Sequence, residues 1–141
     1  MRSVKVADYM AKWLVTLKPN DSVFDAMRTF LNNRISGAPV VDAAGRLVGI
    51  LSETDLLDVV MQDSYYGESG GVVADFMKSP VETVELDGDI YSLAERFKTS
   101  HRRRFPVLQD GELVGQISRR DVLRAAVDMV EHRAQAGSSL V

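Results

Sequence analysis

The sequence predicts an α+β protein made of two copies of one β-α-β-β-α unit. The first observation is an internal repeat, because Val6-Ala7-Asp8-Tyr9-Met10 returns 67 positions later as Val73-Ala74-Asp75-Phe76-Met77. The second is a longer match, in which residues 45–57 align with residues 111–123 after one deleted residue. The third is that helical spacing of apolar residues alternates with short apolar runs bounded by Gly-containing turns. A copy of about 60 residues is too small to hold a core alone, so we expect the two halves to pack face to face.

The first half of each copy is predicted to run from a turn through a strand into a helix. In the first copy, a short amphipathic turn covers residues 6–11 and an extended segment follows at residues 14–17. Pro19-Asn20-Asp21-Ser22 then interrupts the chain and caps a helix. The helix is indicated by five apolar residues at helical spacing: Val23, Ala26, Met27, Phe30 and Leu31.

The second half of each copy is predicted to be a hairpin followed by a helix. Ala38-Pro39-Val40-Val41 is a short apolar run of the kind found in buried strands, and Asp42-Ala43-Ala44-Gly45 is a hairpin turn. Residues 46–51 form the next strand. A second helix opens at residues 52–53 and runs to about Met61.

The second copy repeats this order, with strand 82–85, helix 89–100, strand 105–108, a turn at Asp110-Gly111, strand 112–117 and helix 119–133. We divide the chain into a first repeat at residues 1–62 and a second at residues 73–133. Residues 63–72 are predicted to be a surface linker loop because they are rich in Gly and polar residues. Residues 134–141 are predicted to be a flexible tail.

The composition excludes several classes of function. The chain has 141 residues, is 45% hydrophobic and 26% charged, and carries a net charge of −3. It has no cysteine for a disulfide or a thiolate metal site, and no run of about 20 apolar residues that would span a membrane. The two histidines lack metal-ligand spacing, and no set of residues supports independent catalysis. We therefore predict a soluble cytoplasmic protein that is not an enzyme and needs no metal or cofactor. Its nearly balanced charge argues against bulk nucleic-acid binding.

The duplicated motif resembles a known family. A Pro-Val pair followed by Gly-x-Leu-Val-Gly-x-(Ile/Leu)-Ser-x-x-Asp, repeated over residues 6–132, is similar to a pair of cystathionine-β-synthase-type (CBS) domains, or Bateman module. The resemblance implies a CBS domain pair with pseudo-twofold symmetry and two clefts between the repeats. It implies that these clefts bind adenosine-containing ligands such as AMP, ADP, ATP or S-adenosylmethionine. It also implies a regulatory role toward an unidentified protein, and frequent pairing into homodimers.

The Ser-x-x-Asp element, present as Ser52–Asp55 and Ser118–Asp121, has two interpretations. A short carboxylate at a helix start can accept hydrogen bonds from both ribose hydroxyls, and the resemblance places ribose there. A Ser followed three residues later by an acid is also a helix-capping signature. The same side chains could serve both purposes, so both interpretations stay open.

Recognition of the base is expected from the strands beside this helix. The resemblance implies that Ala38-Pro39 and Phe105-Pro106 wall the adenine with apolar atoms. It also places the entering strands, at Val15-Thr16 and Glu82-Thr83, where backbone groups can read the base edge. The alternative for the apolar residues is packing in the core.

The phosphate signal differs between the copies. The second carries His101-Arg102-Arg103-Arg104 before its buried strand and Arg119-Arg120 at the following helix start. Guanidinium groups form paired hydrogen bonds to phosphate oxygens, and a helix N-terminus adds a favourable dipole. The resemblance places basic residues of the segment before the strand near the nucleotide phosphates, so Arg103 and Arg104, with Arg120 at the helix start, are predicted to bind phosphate. The alternative is a solvated basic loop. The first copy has Arg34-Ile35-Ser36-Gly37 and Glu53-Thr54 at these positions, which predicts a less charged ligand or none.

Two other functions remain open. The chain could be a ligand-free dimerisation or protein-interaction scaffold, whose helices carry the contacts. It could also bind nucleic acid through the basic residues between Arg96 and Arg104, although the acidic total disfavours this function.

Overall fold

The structure is a computed structural model that describes the backbone of residues 5–12, 14–66 and 71–139, and the side chains of residues 5–12, 14–62 and 71–131. It divides the chain into two compact units. One consists of Leu14–Val81, and the other of Met1–Trp13 together with Glu82–Val141. Both contain helices and a small sheet, which confirms the predicted α+β class.

The Leu14–Val81 unit is built on one antiparallel hairpin and two helices. Along the chain, strands β1 (Gly37–Val41) and β2 (Leu47–Ser52) follow helix α1 (Val23–Asn33) and precede helix α2 (Glu53–Tyr66). The hairpin turn forms because the Asp42 carboxylate accepts the backbone N–H groups of the turn, and Gly45 takes the positive φ of 81°. The hairpin and both helices bury one apolar cluster: Leu17, Val23, Ala26, Phe30, Ala38, Val40, Leu51, Leu56, Val59 and Val73.

The other unit has a three-stranded sheet whose strands are neighbours in the order of the sequence. Strand β3 (Val84–Glu85) is parallel to β4 (Arg104–Gln109), which is antiparallel to β5 (Glu112–Ser118). Helices α3 (Ile90–Ser100) and α4 (Arg119–Ser139) complete the unit. The Asp110-Gly111 turn has positive φ at both residues, as a tight two-residue hairpin requires. The core consists of Val6, Val84, Ile90, Leu93, Phe97, Phe105, Val107, Ile117, Ala125 and Met129.

Each hairpin receives a segment from elsewhere in the chain, and we name residues 5–12 and 71–78 the closing segments. Ala11 exchanges two backbone hydrogen bonds with Gln116 on β5, at 2.8 and 3.0 Å. Lys78 does the same with Ile50 on β2, at 2.8 and 3.0 Å. The closing segment of the first repeat, residues 5–12, therefore lies in the unit that holds the hairpin of the second repeat. The closing segment of the second repeat, residues 71–78, lies in the unit that holds the hairpin of the first. The compact units are not the sequence repeats.

Several element bounds differ from the predicted ones. Helix α2 continues to Tyr66, into the predicted linker, because no Gly or Pro interrupts it before Gly67. Helix α4 continues to Ser139, through most of the predicted tail. Linker residues 67–70 and tail residues 140–141 lie outside the described residues.

The first strand of each repeat is shorter than predicted. Only Leu17 of residues 14–17 pairs with β1, through one bridge to Val40, because the chain makes two backbone hydrogen bonds there and then turns at Pro19. In the second repeat the predicted strand 82–85 is reduced to Val84–Glu85. Over the ranges that the structure describes, none of the helices combines the length and the apolar composition that a membrane span requires.

Candidate functional site

The Ser-x-x-Asp element of the first repeat lies where β2 passes into α2. The Asp55 Oδ2 atom accepts hydrogen bonds from the Ser52 backbone N–H at 2.8 Å and the Ser52 hydroxyl at 2.9 Å. The Asp55 N–H donates to Ser52 Oγ at 3.3 Å. This reciprocal pairing satisfies amide groups that a helix start leaves without partners. The capping interpretation therefore describes these contacts.

The second carboxylate oxygen of Asp55 is held by a lysine. Lys78 Nζ lies 2.8 Å from Oδ1, and it comes from the closing segment 71–78. The hydrogen bond to Asp55, followed by the attraction of its charge, raises the pKa of Lys78 above 10.5, against a smaller lowering by desolvation and with a further rise from Asp58. The Asp55 side chain is only 3% exposed, whereas that of Lys78 is 73% exposed. A buried carboxylate thus pairs with an exposed ammonium group at the surface.

Sequence reasoning missed Lys78. It follows directly on the repeated Val-Ala-Asp-Phe-Met motif, at a position where the first copy has Ala11. The repeat alignment shows Lys78 as a charged residue without a counterpart in the first copy. Its contact with Asp55 could not be predicted, because the two residues are 23 positions apart and no local pattern connects them.

The second repeat has the same cap with a different cation. The Ser118 backbone N–H donates to Asp121 Oδ2 at 2.8 Å, and the Asp121 N–H donates to Ser118 Oγ at 3.2 Å. Arg124, one turn further along α4, pairs with Asp121 Oδ1 and also donates to the Tyr9 carbonyl at 3.3 Å. The Asp121 side chain is 13% exposed, so it is more open than Asp55.

The apolar residues predicted to wall the base belong to the cores of their units. Ala38 and Phe105 are buried members of the two clusters, and Pro39 and Pro106 are buried as well. Their side chains fit the core-packing interpretation.

The segments predicted to read the base edge are more accessible. Val15 is half-buried and Thr16 exposed, and Thr83 is half-buried beside β3. The Thr83 carbonyl accepts a hydrogen bond from Arg96 Nη1 at 2.9 Å, and the Arg96 guanidinium lies 4.7 Å from the centre of the Phe105 ring. Sequence reasoning had given Arg96 no role at this strand.

The basic residues of the second repeat are brought to the start of α4. The Arg119 backbone N–H donates to the Arg103 carbonyl at 3.2 Å, which joins the loop before β4 to the helix start. The Arg103 and Arg120 side chains are exposed, and Arg104 is half-buried at the first position of β4. Arg102 instead pairs with Glu82 at 3.3 Å. Guanidinium groups and a helix N-terminus thus adjoin the Ser118–Asp121 element.

The first repeat has the same backbone link without the charges. The Glu53 backbone N–H donates to the Ser36 carbonyl at 3.0 Å. A serine and an acid thus stand where the second repeat has two arginines. Among the residues whose side chains are described, no three of His, Cys, Asp and Glu form a group suited to a metal ion.

Comparisons with known proteins identify the family. The CBS domain model matches residues 6–62 and 73–128. The structure of CBSX2 from Arabidopsis thaliana in complex with AMP is 32% identical with a TM-score of 0.79, covering 90% of this chain and 98% of that one. The CBS domain pair of protein MJ0100, solved with 5′-methylthioadenosine and S-adenosyl-L-methionine, is 25% identical with a TM-score of 0.73, covering 85% and 97%.

Among curated proteins, the chloroplastic CBS domain-containing protein CBSX1 of Arabidopsis thaliana is 31% identical over 152 residues, covering 88% of this chain. The chain spans 64% of the length of CBSX1 and 41% of that of the uncharacterized protein MJ1225 of Methanocaldococcus jannaschii. The two matched stretches and the agreement with solved CBS pairs confirm the resemblance, and the chain belongs to the CBS domain family, with two CBS domains in tandem.

Proposed function

We propose that the chain is a non-catalytic regulatory module that binds an adenosine-containing ligand, namely AMP, ADP, ATP or S-adenosylmethionine. The observation that carries the proposal is the start of α4, where the Asp121 carboxylate lies beside the Arg103 loop and Arg120. A carboxylate can accept both ribose hydroxyls, and guanidinium groups at a helix N-terminus bind phosphate. CBSX2 with AMP and MJ0100 with S-adenosyl-L-methionine support the ligand class.

The proposed ligand residues fall into two sets, one for each repeat. In both sets the Ser and Asp bind ribose, and the strand residues meet the base mainly through backbone groups because several of their side chains are buried. The second set is Ser118, Asp121, Arg103, Arg104, Arg120, Thr83, Phe105 and Pro106. The first set is Ser52, Asp55, Val15, Thr16, Ala38 and Pro39.

The two sets differ in the ligand charge they can accept. Arg103 and Arg120 favour a polyphosphate at the second repeat, whereas Glu53 at the matching helix start opposes one at the first. We propose that the second repeat takes the more highly charged ligand and the first repeat a less charged one.

Regulation would follow from a population shift. A ligand that binds one arrangement of the chain more tightly than another favours the first arrangement by the difference in binding free energy. The partner protein whose activity changes is unidentified, and the cytoplasmic location of the module stays a prediction.

Calorimetry with AMP, ADP, ATP and S-adenosylmethionine tests the ligand class. We expect Asp121→Asn, which keeps an oxygen for the cap, to weaken binding of ATP by about tenfold, because a hydrogen bond to a charged group contributes on that order. Arg103→Gln is expected to weaken ATP binding, while the matched variant Arg102→Gln removes a guanidinium already paired with Glu82 and has a smaller effect. Failure of all four ligands to bind at millimolar concentration would contradict the proposal.

A second candidate function, a homodimeric interaction scaffold, is favoured by an apolar stripe on α4. Leu123, Val127 and Val130 recur at helical spacing on its exposed face, and Leu123 is 66% exposed. Leu57 and Met61 on α2 occupy the positions matching Leu123 and Val127 and are exposed too. A depression lined by Tyr9, Leu123, Arg124, Val127 and Asp128 adjoins the stripe on α4.

Sedimentation of the full chain tests the scaffold. We propose a homodimer in which α4 buries this stripe, because exposed apolar patches commonly mark protein interfaces. Leu123→Asp should then give a monomer, whereas Tyr91→Asp, at an exposed apolar residue outside the stripe, should leave the dimer intact. A wild-type chain that sediments as a monomer at high micromolar concentration would exclude this candidate.

A further inference from the structure

The Asp55 carboxylate has one acceptor position left, whereas the two hydroxyls of a ribose need two. Oδ2 already accepts two hydrogen bonds from Ser52, and Oδ1 accepts one from Lys78 Nζ. The contacts with Ser52 also cap α2, so losing them would expose the helix start. The bond that a ligand can displace at lower cost is the one to Lys78.

Lys78 is placed to move between two anions. Its backbone is fixed by the paired hydrogen bonds with Ile50, but its side chain is 73% exposed on a flexible four-carbon stem. To bind through both ribose hydroxyls, a neutral nucleoside would have to displace the ammonium group of Lys78 from the buried carboxylate. The ammonium group would then have only water as a partner. A ligand with an anionic group gives Nζ a new partner when its ribose takes Oδ1.

The surroundings also limit how much negative charge the first repeat accepts. Asp58 acts electrostatically on Lys78, and Glu53 stands at the helix start where the second repeat has Arg119. One lysine beside these acids can neutralise the negative charge of a single phosphate better than the charge of three phosphates.

We infer that Lys78 sets ligand specificity at the first repeat, by leaving Asp55 for the phosphate of a singly phosphorylated adenosine ligand. This inference rests on the proposed function and names the ligand class of one of its two sites. Lys78 thereby disfavours adenosine, while Glu53 and Asp58 disfavour ATP.

The second repeat lacks this exchange. Arg124 is tied to both Asp121 and the Tyr9 carbonyl, and the phosphate is assigned to separate groups at Arg103 and Arg120. A cation that leaves its carboxylate to meet the ligand is therefore a property of the first repeat.

The experiment uses the full chain with Asp121→Asn, which weakens binding at the second repeat. Calorimetry with adenosine and with AMP compares this background with the additional change Lys78→Met. We expect adenosine to bind about threefold to tenfold more tightly, because its ribose no longer has to displace the ammonium group from Asp55. The affinity for AMP is expected to change less, because the variant loses both the cost of that displacement and the contact with the phosphate. Lys18→Met, the same change at an exposed lysine of the same unit, is expected to alter both affinities less than about twofold.

The possible outcomes separate the inference from the proposed function. If Lys78→Met leaves the ratio of AMP affinity to adenosine affinity unchanged, or acts like Lys18→Met, the role of Lys78 is wrong while nucleotide binding stands. The role of Lys78 is also wrong if wild type binds AMP but the Asp121→Asn chain binds neither AMP nor adenosine, with or without Lys78→Met. If wild type binds no adenosine ligand at all, the proposed function itself fails.

Discussion

Asp55 and Asp121 occupy the same position in the two repeats and cap their helices in the same way, but they differ in burial and in the cation that faces them. Lys78 reaches Asp55 from a distant segment, whereas Arg124 reaches Asp121 from the next turn of the same helix. We therefore expect the two carboxylates to contribute differently to stability.

The first prediction concerns the stability of the two caps. Loss of a capping side chain costs about 1 kcal/mol, and the cost increases when a buried donor is left without a partner. We expect Asp55→Ala to lower the free energy of unfolding more than Asp121→Ala, because Asp55 is the more buried carboxylate and also holds Lys78. Urea denaturation of both variants measures the difference, and an equal or reversed order would contradict it.

The second prediction concerns pH. Because Asp55 raises the pKa of Lys78 above 10.5, the folded chain keeps this proton at a pH where the unfolded chain has lost it. The stabilisation is therefore complete below pH 10.5 and is lost as the pH rises through the raised value.

Thermal denaturation of wild type and Lys78→Met measures this effect. Their difference in Tm should be constant from about pH 7 to about pH 9, and should shrink at more alkaline pH, since only wild type has the Lys78 proton to lose. The Lys18→Met variant corrects for the titration of other groups. A difference that grows with alkaline pH would contradict the assigned ion pair.

At the scale of elements, helices and hairpins could be predicted from local pattern because their signals are local. Ser22 and Asp89 cap α1 and α3, where their side chains accept the N–H groups of Phe24 and Tyr91. The first strand of each repeat was predicted too long, because its length depends on partners along β1 and β4 that apolar spacing does not reveal. The end of α2 was missed because the polar residues before Gly67 suit a helix as well as a loop.

The third prediction tests the contact between a closing segment and its hairpin. A Cβ added at Gly115 would lie 2.7 Å from the Ala11 carbonyl oxygen, so the closing segment must shift. We expect Gly115→Ala to cost about 1–3 kcal/mol, as overpacking in a close contact does. Gly37→Ala is the control, since its Cβ would meet the Leu51 carbonyl oxygen at an ordinary 3.4 Å. Chemical denaturation compares them, and similar free energies of unfolding for the two variants would contradict the close approach.

At the scale of the whole molecule, the repeats were visible in the sequence but the compact units were not. The alignment of residues 6–10 with residues 73–77 shows that both segments are equivalent, yet it does not say which hairpin each joins. Ala11 and Gln116 pair although they are distant in the sequence, and the local periodicity of apolar residues does not predict this pairing. Lys78 and Arg96 escaped prediction for the same reason, since each meets its partners only in the folded unit.

The fourth prediction follows from the division into units. Val6 and Val73 are equivalent in the repeats, and each is buried in the core of a different unit. Val6→Ala should reduce amide-exchange protection in the β4–β5 hairpin, and Val73→Ala in the β1–β2 hairpin, each at a cost of about 2 kcal/mol for two buried methyl groups and the cavity left behind. Hydrogen-exchange mass spectrometry resolves the two hairpins. Loss of protection in the hairpin of the same sequence repeat would contradict the division.

The exchange of closing segments means that the stretch of sequence that is repeated differs from the stretch that folds as a unit. A chain with a single copy could cover its hairpin edge only by folding its own segment back or by taking the segment of a second molecule. With two copies in one chain, the exchange becomes intramolecular, and its extent no longer depends on protein concentration. Tandem repetition thus converts what would be an association between molecules into a step in the folding of one.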